Sequence, residues 1–281
     1  MQDQDLRLAV LIDADNVPRR YIKAIMEEIA VYGNPTLKRI YGDWTTPNLS
    51  KWKDDLLENA LTPIQQYGYT TGKNSTDSAM IIDAMDILYS GNMDGFCIVS
   101  SDSDFTRLAI RLREAGKKVI GLGERKTPSP FIVACDRFIY IEVLAKQAAP
   151  ITPAPRPQPK RRVPAAAAPA PLTVAQTAAA APAVIPAAPV AQPQTDGKMK
   201  TPIPRDIIEY ISQTIEDIGD DDGWAYLGEL GSLLQKKRPD FDSRNYGYKK
   251  LSSMVENCGE FEVDFRGNAN NGKLIYVRVK R

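Results

Sequence analysis

The hydrophobic positions in the first half of the chain follow two alternating patterns. Strand-length segments occur at 8–12, 37–41, 63–66, 96–100, 119–122 and 138–143. Of these, 8–12 and 96–99 are continuously apolar, which is typical of strands buried on both faces of a parallel sheet. Between several of these runs, apolar residues recur at helical spacing, over 22–29, 49–61, 80–88 and 105–115. Strands that alternate with helices predict an α/β fold with a parallel sheet covered by helices on both faces.

Residues 147–201 break this pattern because alanine and proline dominate them. Proline every few residues prevents the alanine runs from forming a continuous helix. We therefore predict a disordered linker with some polyproline character between a domain at 1–146 and a domain at 202–281. Flexible-coil scaling gives a linker of this length a reach near ~40 Å. The two domains are thus expected to act on one long ligand without contacting each other.

The last part of the chain predicts a smaller, second fold. Helical spacing over 203–218, 224–237 and 243–257 precedes two alternating runs, 261–265 and 274–279, with a turn-rich segment between them. Three helices followed by a hairpin is the order of a winged helix-turn-helix. We therefore expect a small α+β winged-helix domain here.

Charge is distributed unevenly along the chain. The formal net charge is +1, but residues 148–200 carry 6 basic and 1 acidic side chains, including Lys160, Arg161 and Arg162. Residues 1–147 carry 18 basic and 20 acidic side chains, and residues 201–281 carry 12 and 14. The overall basic field that is typical of many nucleic-acid-binding proteins is therefore absent.

The residue types that are missing narrow the possible chemistry. The chain has no histidine, which excludes Ser-His and Cys-His catalysis and any histidine-ligated metal. Its three cysteines form no CxxC pair and suggest neither a disulfide scaffold nor a zinc site. The acidic N-terminus is unlike a signal peptide, and no apolar stretch approaches 18 residues. We therefore expect a cytoplasmic protein that does not enter a membrane, and any catalysis must rely on carboxylates.

Aspartates occur at three points that a parallel sheet brings together. Asp13 and Asp15 end the first strand, Asp77 opens the helix before the fourth strand, and Asp102 and Asp104 follow the fourth strand. The carboxyl ends of parallel strands share one edge, where such sheets bind ligands. Carboxylates within about 4–6 Å of one another repel unless a cation lies between them, and Mg²⁺ or Mn²⁺ prefers oxygen ligands. The alternative is that these aspartates are unrelated helix caps and turn residues.

Polar and basic residues surround this predicted edge. Asn16 can orient a water or cap the helix that begins near Pro18. Candidate phosphate contacts, which ordinary surface solubility explains equally well, are Lys73, Arg107, Arg125 and Lys126. Trp44 follows the second strand and suits either base stacking or packing.

Four motifs in the first domain resemble the NYN domain, the LabA-like branch of the PIN-like nuclease superfamily. They are Ile12-Asp13-Ala14-Asp15-Asn16, Lys73 to Asp77, Ser101-Asp102-Ser103-Asp104-Phe105, and Gly121 to Ile141 with Ser129-Pro130 and Cys135-Asp136-Arg137-Phe138. The resemblance implies a Rossmann-like sheet and ribonuclease activity on single-stranded or structured RNA, by hydrolysis of a phosphodiester with metal-bound water. It places the metal-binding positions at Asp13, Asp77 and Asp102, with Asp104 a further candidate and Asn16 the associated polar residue. The Lys73 segment is longer than the family's Lys-Gly-x-Asp form.

The second domain resembles the LOTUS domain, an OST-type winged helix found beside NYN domains. The resemblance is carried by Gly223-Trp224-Ala225, by 230–241 and by 246–251. It implies RNA binding or protein docking. The candidate contacts are Tyr246, Lys249 and Lys250 on the third predicted helix, with Arg266 and Lys273 near the predicted wing.

The sequence thus predicts a divalent-metal-dependent endoribonuclease with RNA as its partner. Two other functions remain open. Asp13-Ala14-Asp15-Asn16-Val17 also fits the motif of haloacid-dehalogenase-type phosphatases, in which the first aspartate is a nucleophile. A non-catalytic RNA-binding adaptor would keep the nuclease fold but depend on the second domain and the basic linker.

Overall fold

The N-terminal part of the chain forms a three-layer α/β structure. A computed structural model describes residues 6–47, 49–67, 75–147, 203–267 and 273–280. The N-terminal strands are β1 (Arg7–Asp13), β2 (Asn34–Gly42), β3 (Thr62–Gln65), β4 (Gly95–Val99), β5 (Lys118–Gly123) and β6 (Arg137–Tyr140). The α-helices are α1 (Ile22–Ile29), α2 (Lys53–Glu58), α3 (Ser75–Ser90), α4 (Thr106–Glu114), α5 (Ser129–Ala134) and α6 (Ile141–Gln147).

The six strands form one parallel sheet in the order β3-β2-β1-β4-β5-β6. At its centre, Ile12 of β1 pairs with Ile40 of β2 on one side and with Val99 of β4 on the other. The chain order reverses between β1 and β4. In open α/β sheets, the crevice beyond the carboxyl ends of the strands at such a point is the usual ligand site.

Both faces of the sheet are buried, which explains the continuous apolar runs. Along β1, Leu8, Val10 and Ile12 belong to the core on one face, whereas Ala9 and Leu11 belong to the core on the other. All five are fully buried. Because the side chains of a strand alternate between faces, a strand covered on both sides must be apolar at successive positions.

The C-terminal part is a small α+β fold with an antiparallel sheet. Its helices are α7 (Arg205–Ile218), α8 (Leu227–Lys237) and α9 (Leu251–Cys258), and its strands are β7 (Ala225–Tyr226), β8 (Phe261–Gly267) and β9 (Lys273–Val279). The sheet order is β7-β9-β8. Ile207, Ile211 and Ile215 recur every four residues along α7 and are buried in its core. This order of helices and hairpin agrees with the predicted winged helix.

The structure corrects several predicted elements. The sixth strand ends at Tyr140, and the chain continues as helix α6 instead of as strand to 143. The short helix α5 and the two-residue strand β7 were not predicted. The third predicted C-terminal helix is divided into a 3₁₀ turn at Ser243–Tyr246 and α9. Gly247 separates them with a positive φ of 84°, a left-handed conformation that ends helices and favours glycine.

The two parts of the chain contact each other, so the expectation of domains that do not touch is wrong. The Phe138 backbone N–H on edge strand β6 donates to the Pro239 carbonyl at 2.9 Å. Arg244 also forms an ion pair with Glu28 of α1 at 2.6 Å. Residues 6–147 and 203–280 thus belong to one compact unit. The predicted linker lies outside the described residues beyond Gln147, and within the described ranges no helix is long and apolar enough to cross a membrane.

Candidate metal centre

Asp13 is a buried carboxylate at the switch point of the sheet. It is the last residue of β1, and only 1% of it is exposed. One carboxylate oxygen accepts hydrogen bonds from Asn16 Nδ2 at 2.7 Å and from Ser100 Oγ at 2.8 Å. The other accepts from the backbone N–H groups of Asp15 and Asn16 at 3.0 and 3.3 Å. Burial raises the pKa of Asp13, and these hydrogen bonds partly offset that effect.

The side chain of Ser100 holds the loop after β4 in place through two hydrogen bonds. This buried hydroxyl donates to Asp13 and accepts from the Asp102 backbone N–H at 3.1 Å. Asp102 Oδ1 in turn accepts from the Asp104 N–H at 2.9 Å, at the start of a 3₁₀ turn over Ser103–Phe105. Asp102 therefore performs the capping role considered from the sequence. Capping occupies only one of its two carboxylate oxygens in these contacts.

Asp77 brings a third segment to the same place. It lies in the first turn of α3, and only 9% of it is exposed. Its neighbour Thr76 donates from Oγ1 to Asp15 at 3.2 Å, which links the start of α3 to the loop after β1. The pKa of Asp77 is raised to about 6, first by burial and then by the negative charges of neighbouring aspartates, which are Asp13, Asp102, Asp104 and Asp15.

Carboxylate oxygens of Asp77, Asp102 and Asp104 all lie within 4.8 Å of one another. We call these three residues the acidic cluster. Among the described residues it is the group whose spacing suits a metal ion, and Asp13 is not a member. Asp13 instead anchors the β1 and β4 loops behind the cluster. Three of the four predicted metal-binding aspartates are therefore brought together, and the fourth supports them.

The other predicted residues of the first domain have various surroundings. Asn16 is half-buried and hydrogen-bonded to Asp13, as a supporting polar residue. Arg107 is exposed on α4, Arg125 places its guanidinium 5.3 Å from the Tyr140 ring centroid, and Lys126 pairs with Glu124 at 2.5 Å. Trp44 is half-buried and donates from its indole nitrogen to the Ile64 carbonyl at 3.0 Å, which indicates a packing role.

Two of the four described candidate contacts of the second domain are exposed. Lys249 and Lys250 are exposed immediately before α9, whereas Tyr246 is half-buried beside Phe241. Arg266 pairs with Asp264 at 2.9 Å and lies over the Tyr276 ring. The side chains of Lys73 and Lys273 are outside the described part of the chain.

Two site residues, Ser100 and Thr76, were missed as candidates by sequence reasoning. Each directly precedes or neighbours a predicted metal-binding motif, and each hydroxyl hydrogen-bonds to an aspartate of the β1 loop. A hydroxyl at a strand end beside an acidic motif is the signal that would have found Ser100. Its role depends on a contact between residues 87 positions apart, which the local sequence does not show.

The N-terminal domain is thus an α/β domain with a parallel sheet and an acidic cluster at its switch point. Residues 7–142 match the NYN domain, and residues 201–272 match the OST-HTH/LOTUS domain. The chain therefore carries an NYN domain followed by an OST-HTH/LOTUS domain. NYN domains have the fold of PIN-like nucleases, and OST-HTH/LOTUS domains bind RNA.

Several individual proteins are similar to parts of the chain. The uncharacterized protein MJ0482 of Methanocaldococcus jannaschii is 28% identical over 121 residues, which are 42% of this chain. The chain spans about half the length of that relative, 47%. A protein of unknown function from Vibrio parahaemolyticus matches 50% of this chain and 96% of its own, with 21% identity and a TM-score of 0.43. The match to an uncharacterized protein of Nitrosomonas europaea covers 33% of this chain and 90% of that protein, with 37% identity and a TM-score of 0.27.

Proposed function

We propose that this protein is a divalent-metal-dependent endoribonuclease whose OST-HTH/LOTUS domain binds RNA. The observation that carries the proposal is the convergence of Asp77, Asp102 and Asp104 at the switch point of an NYN sheet. These residues come from two separate loops, so their proximity is a product of the fold. The three aspartates offer a purely oxygen-containing set of ligands.

The chemistry of the acidic cluster fits Mg²⁺ or Mn²⁺. Both ions prefer carboxylate oxygens, and Mg²⁺ typically binds one or two carboxylates together with water and substrate phosphate. The raised pKa of Asp77 supports this fit, because neighbouring negative charges disfavour its ionised form until a cation offsets them. When bound, such an ion lowers the pKa of a coordinated water and stabilises negative charge on a phosphodiester.

The chain's own residues hold this cluster in place. Ser100 connects Asp13 to the backbone of Asp102, so the loops after β1 and β4 keep a fixed separation. Asn16 holds the other side of the same Asp13 oxygen. Arg107, three residues after Asp104 and exposed, is in a position to attract the phosphate backbone of a substrate.

The geometry disfavours the phosphatase alternative. In that mechanism Asp13 would be the nucleophile, yet it is buried and both of its oxygens accept two hydrogen bonds. Asp15, the corresponding general acid, accepts a hydrogen bond from Thr76. A phosphatase would hydrolyse p-nitrophenyl phosphate, and Asp15→Asn would abolish that activity. The proposed nuclease would not hydrolyse this compound.

The decisive experiment compares RNA cleavage by wild type and Asp102→Asn with Mg²⁺ or Mn²⁺. We expect wild type to cleave a 5′-labelled single-stranded or hairpin RNA, and we expect the variant to lose at least ~100-fold in rate but to bind the RNA as before. Asp86→Asn, an exposed aspartate on α3, is the matched control and should retain full activity. If wild type binds these RNAs but cleaves none of them with either metal, the protein is an RNA-binding adaptor and the nuclease proposal is wrong.

A further inference from the structure

A groove runs between the NYN and OST-HTH/LOTUS domains. Its volume is about 730 Å³. Tyr32 and Arg137 line it from the NYN side, and Ser232, Lys249 and Lys250 line it from the other side. Because both domains contribute walls, the groove exists only while they are docked.

One buried ion pair fixes the docking at the α1 side. The Arg244 guanidinium donates to both carboxylate oxygens of Glu28, at 2.6 and 2.8 Å, and also to Asp242. Only 9% of Glu28 is exposed, and Tyr32 donates to it as well at 2.9 Å. Burial opposes the charge on Glu28, but the hydrogen bonds and charge of Arg244 outweigh burial and lower its pKa. Such a two-pronged arginine contact holds a specific orientation.

A second set of contacts follows strand β6. At its first residue, Arg137 donates to Gln235 at 2.7 Å and to Asp242 at 3.4 Å. At its last residue, the Tyr140 hydroxyl donates to Asp240 at 3.0 Å. The docked segment therefore runs along the full length of the edge strand, which protects its backbone from other pairing partners.

The groove carries an excess of positive charge. Its two acidic lining residues, Glu28 and Asp242, are paired with Arg244 and Arg137. Lys249 and Lys250 are exposed, and neither forms an ion pair within the described ranges. Two cations are therefore left to attract a polyanion, and the hydroxyls of Ser243 and Ser252 line the same wall as candidate hydrogen-bond donors.

The groove lies away from the acidic cluster. Tyr32 lies between α1 and the start of β2, near the amino ends of the strands. Arg137 begins edge strand β6, which is two strands away from β4, about 10 Å across the sheet, and its register places it level with Cys97 in the middle of β4. The cluster lies beyond the carboxyl end of β4.

We propose that this interdomain groove binds the sugar–phosphate backbone of single-stranded RNA, outside the acidic cluster where the bond is cleaved. The inference rests on the proposed function only for the identity of the polyanion. The Arg244–Glu28 contact acts as a positioning element, because it holds Lys249 and Lys250 opposite the NYN wall.

The lysines are tested in the full chain by fluorescence anisotropy with a 5′-fluorescein 20-nucleotide oligouridylate in EDTA, which prevents cleavage. Lys249→Glu/Lys250→Glu should weaken binding on the order of 10-fold or more. Loss of two phosphate contacts should also reduce the slope of log K against log salt by about 1.4. Lys51→Glu/Lys53→Glu, a pair of exposed lysines near the start of α2, should leave both quantities unchanged.

The interdomain character is tested by charge reversal. Arg244→Glu places like charges against Glu28 and should undock the domains, with a larger radius of gyration in solution scattering and weakened RNA binding. Glu28→Arg combined with Arg244→Glu should restore part of the compactness and affinity together, since the new carboxylate at position 244 still faces Asp242. If Arg244→Glu undocks the domains but binds the oligouridylate as tightly as wild type, the OST-HTH/LOTUS domain binds alone and the groove proposal is overturned. That result leaves the Asp102-dependent cleavage test unaffected, whereas wild type that binds no oligouridylate overturns the groove in any case.

Discussion

Asp77→Asn should stabilise the metal-free protein at neutral pH. Asp77 is almost fully buried beside other aspartates, and its pKa is raised from an ordinary value of 3.8 to about 6. An acid with a raised pKa binds its proton more tightly in the folded state than in the unfolded state. The contribution of Asp77 to stability is therefore highest below pH 4, falls as the pH rises from about 4 to 6, and stays lower above that range. Asparagine removes the ionisation and hence this loss.

The size of the effect follows from the shift. Roughly two pKa units correspond to about 3 kcal/mol at pH 7.5. One opposing effect is that Asp77 lies in the first turn of α3, where a negative charge favours the helix dipole by ~0.3–1 kcal/mol. The effect of burial and repulsion is therefore larger than that of the helix dipole, and the free energy of unfolding of the variant should rise by about 2 kcal/mol. In a domain of this size, that gain corresponds to a rise of about 4–8 °C in Tm.

Thermal unfolding in EDTA at pH 4 and pH 7.5 measures the effect. The gain should appear at pH 7.5 and vanish at pH 4, and Asp86→Asn on the same helix should show neither change. With Mg²⁺ at 100 times its Kd, wild type should gain about 2.7 kcal/mol at pH 7.5, and Asp77→Asn should gain much less. An Asp77→Asn protein that is less stable than wild type at pH 7.5 in EDTA would refute the argument from charge repulsion.

Two further outcomes follow from single side chains. Ser100→Ala leaves the Asp102 N–H without its acceptor and removes one of the four hydrogen-bond donors to Asp13, so it should lower the free energy of unfolding in urea by about 1–3 kcal/mol. Ser103→Ala, on the exposed side of the same loop, should change it little. In the native protein, Ellman's reagent should react with half-buried Cys258 but with neither Cys97 nor Cys135. Burial of those two residues raises the pKa of each thiol and blocks access of the reagent. Reaction of more than one thiol before unfolding would contradict this expectation.

The sheet could be predicted from the sequence because its central strands are apolar at successive positions. Runs such as Leu8 to Ile12 allow few structures other than a strand buried on both faces. The edge strand was predicted less well, since β6 has only four residues and is followed at once by α6. Short elements carry too few positions for a period to be recognised.

The position of the candidate site was predictable, but the different roles of its aspartates were not. Parallel strands bring their carboxyl ends to one edge, so Asp13, Asp77 and Asp102 had to approach one another. Some carboxylates join the acidic cluster, whereas others have both oxygens occupied by hydrogen bonds. Which of the two applies depends on residues far away in the sequence. Ser100 is the partner that fixes Asp13, and nothing in the residues around Asp13 identifies it.

Domain docking shows the same limitation more clearly. The length of the Ala/Pro-rich segment gives the reach between two domains, but it contains no information about whether they bind each other. That binding depends on Glu28 and Arg244, which are 216 positions apart and look like ordinary surface charges in the sequence. Glu28 is only 9% exposed, and an ionised carboxylate at such a position would destabilise the fold without a partner of opposite charge. The burial of Glu28 and the presence of Arg244 therefore require each other, and this mutual dependence is what makes the paired charge reversal an informative test.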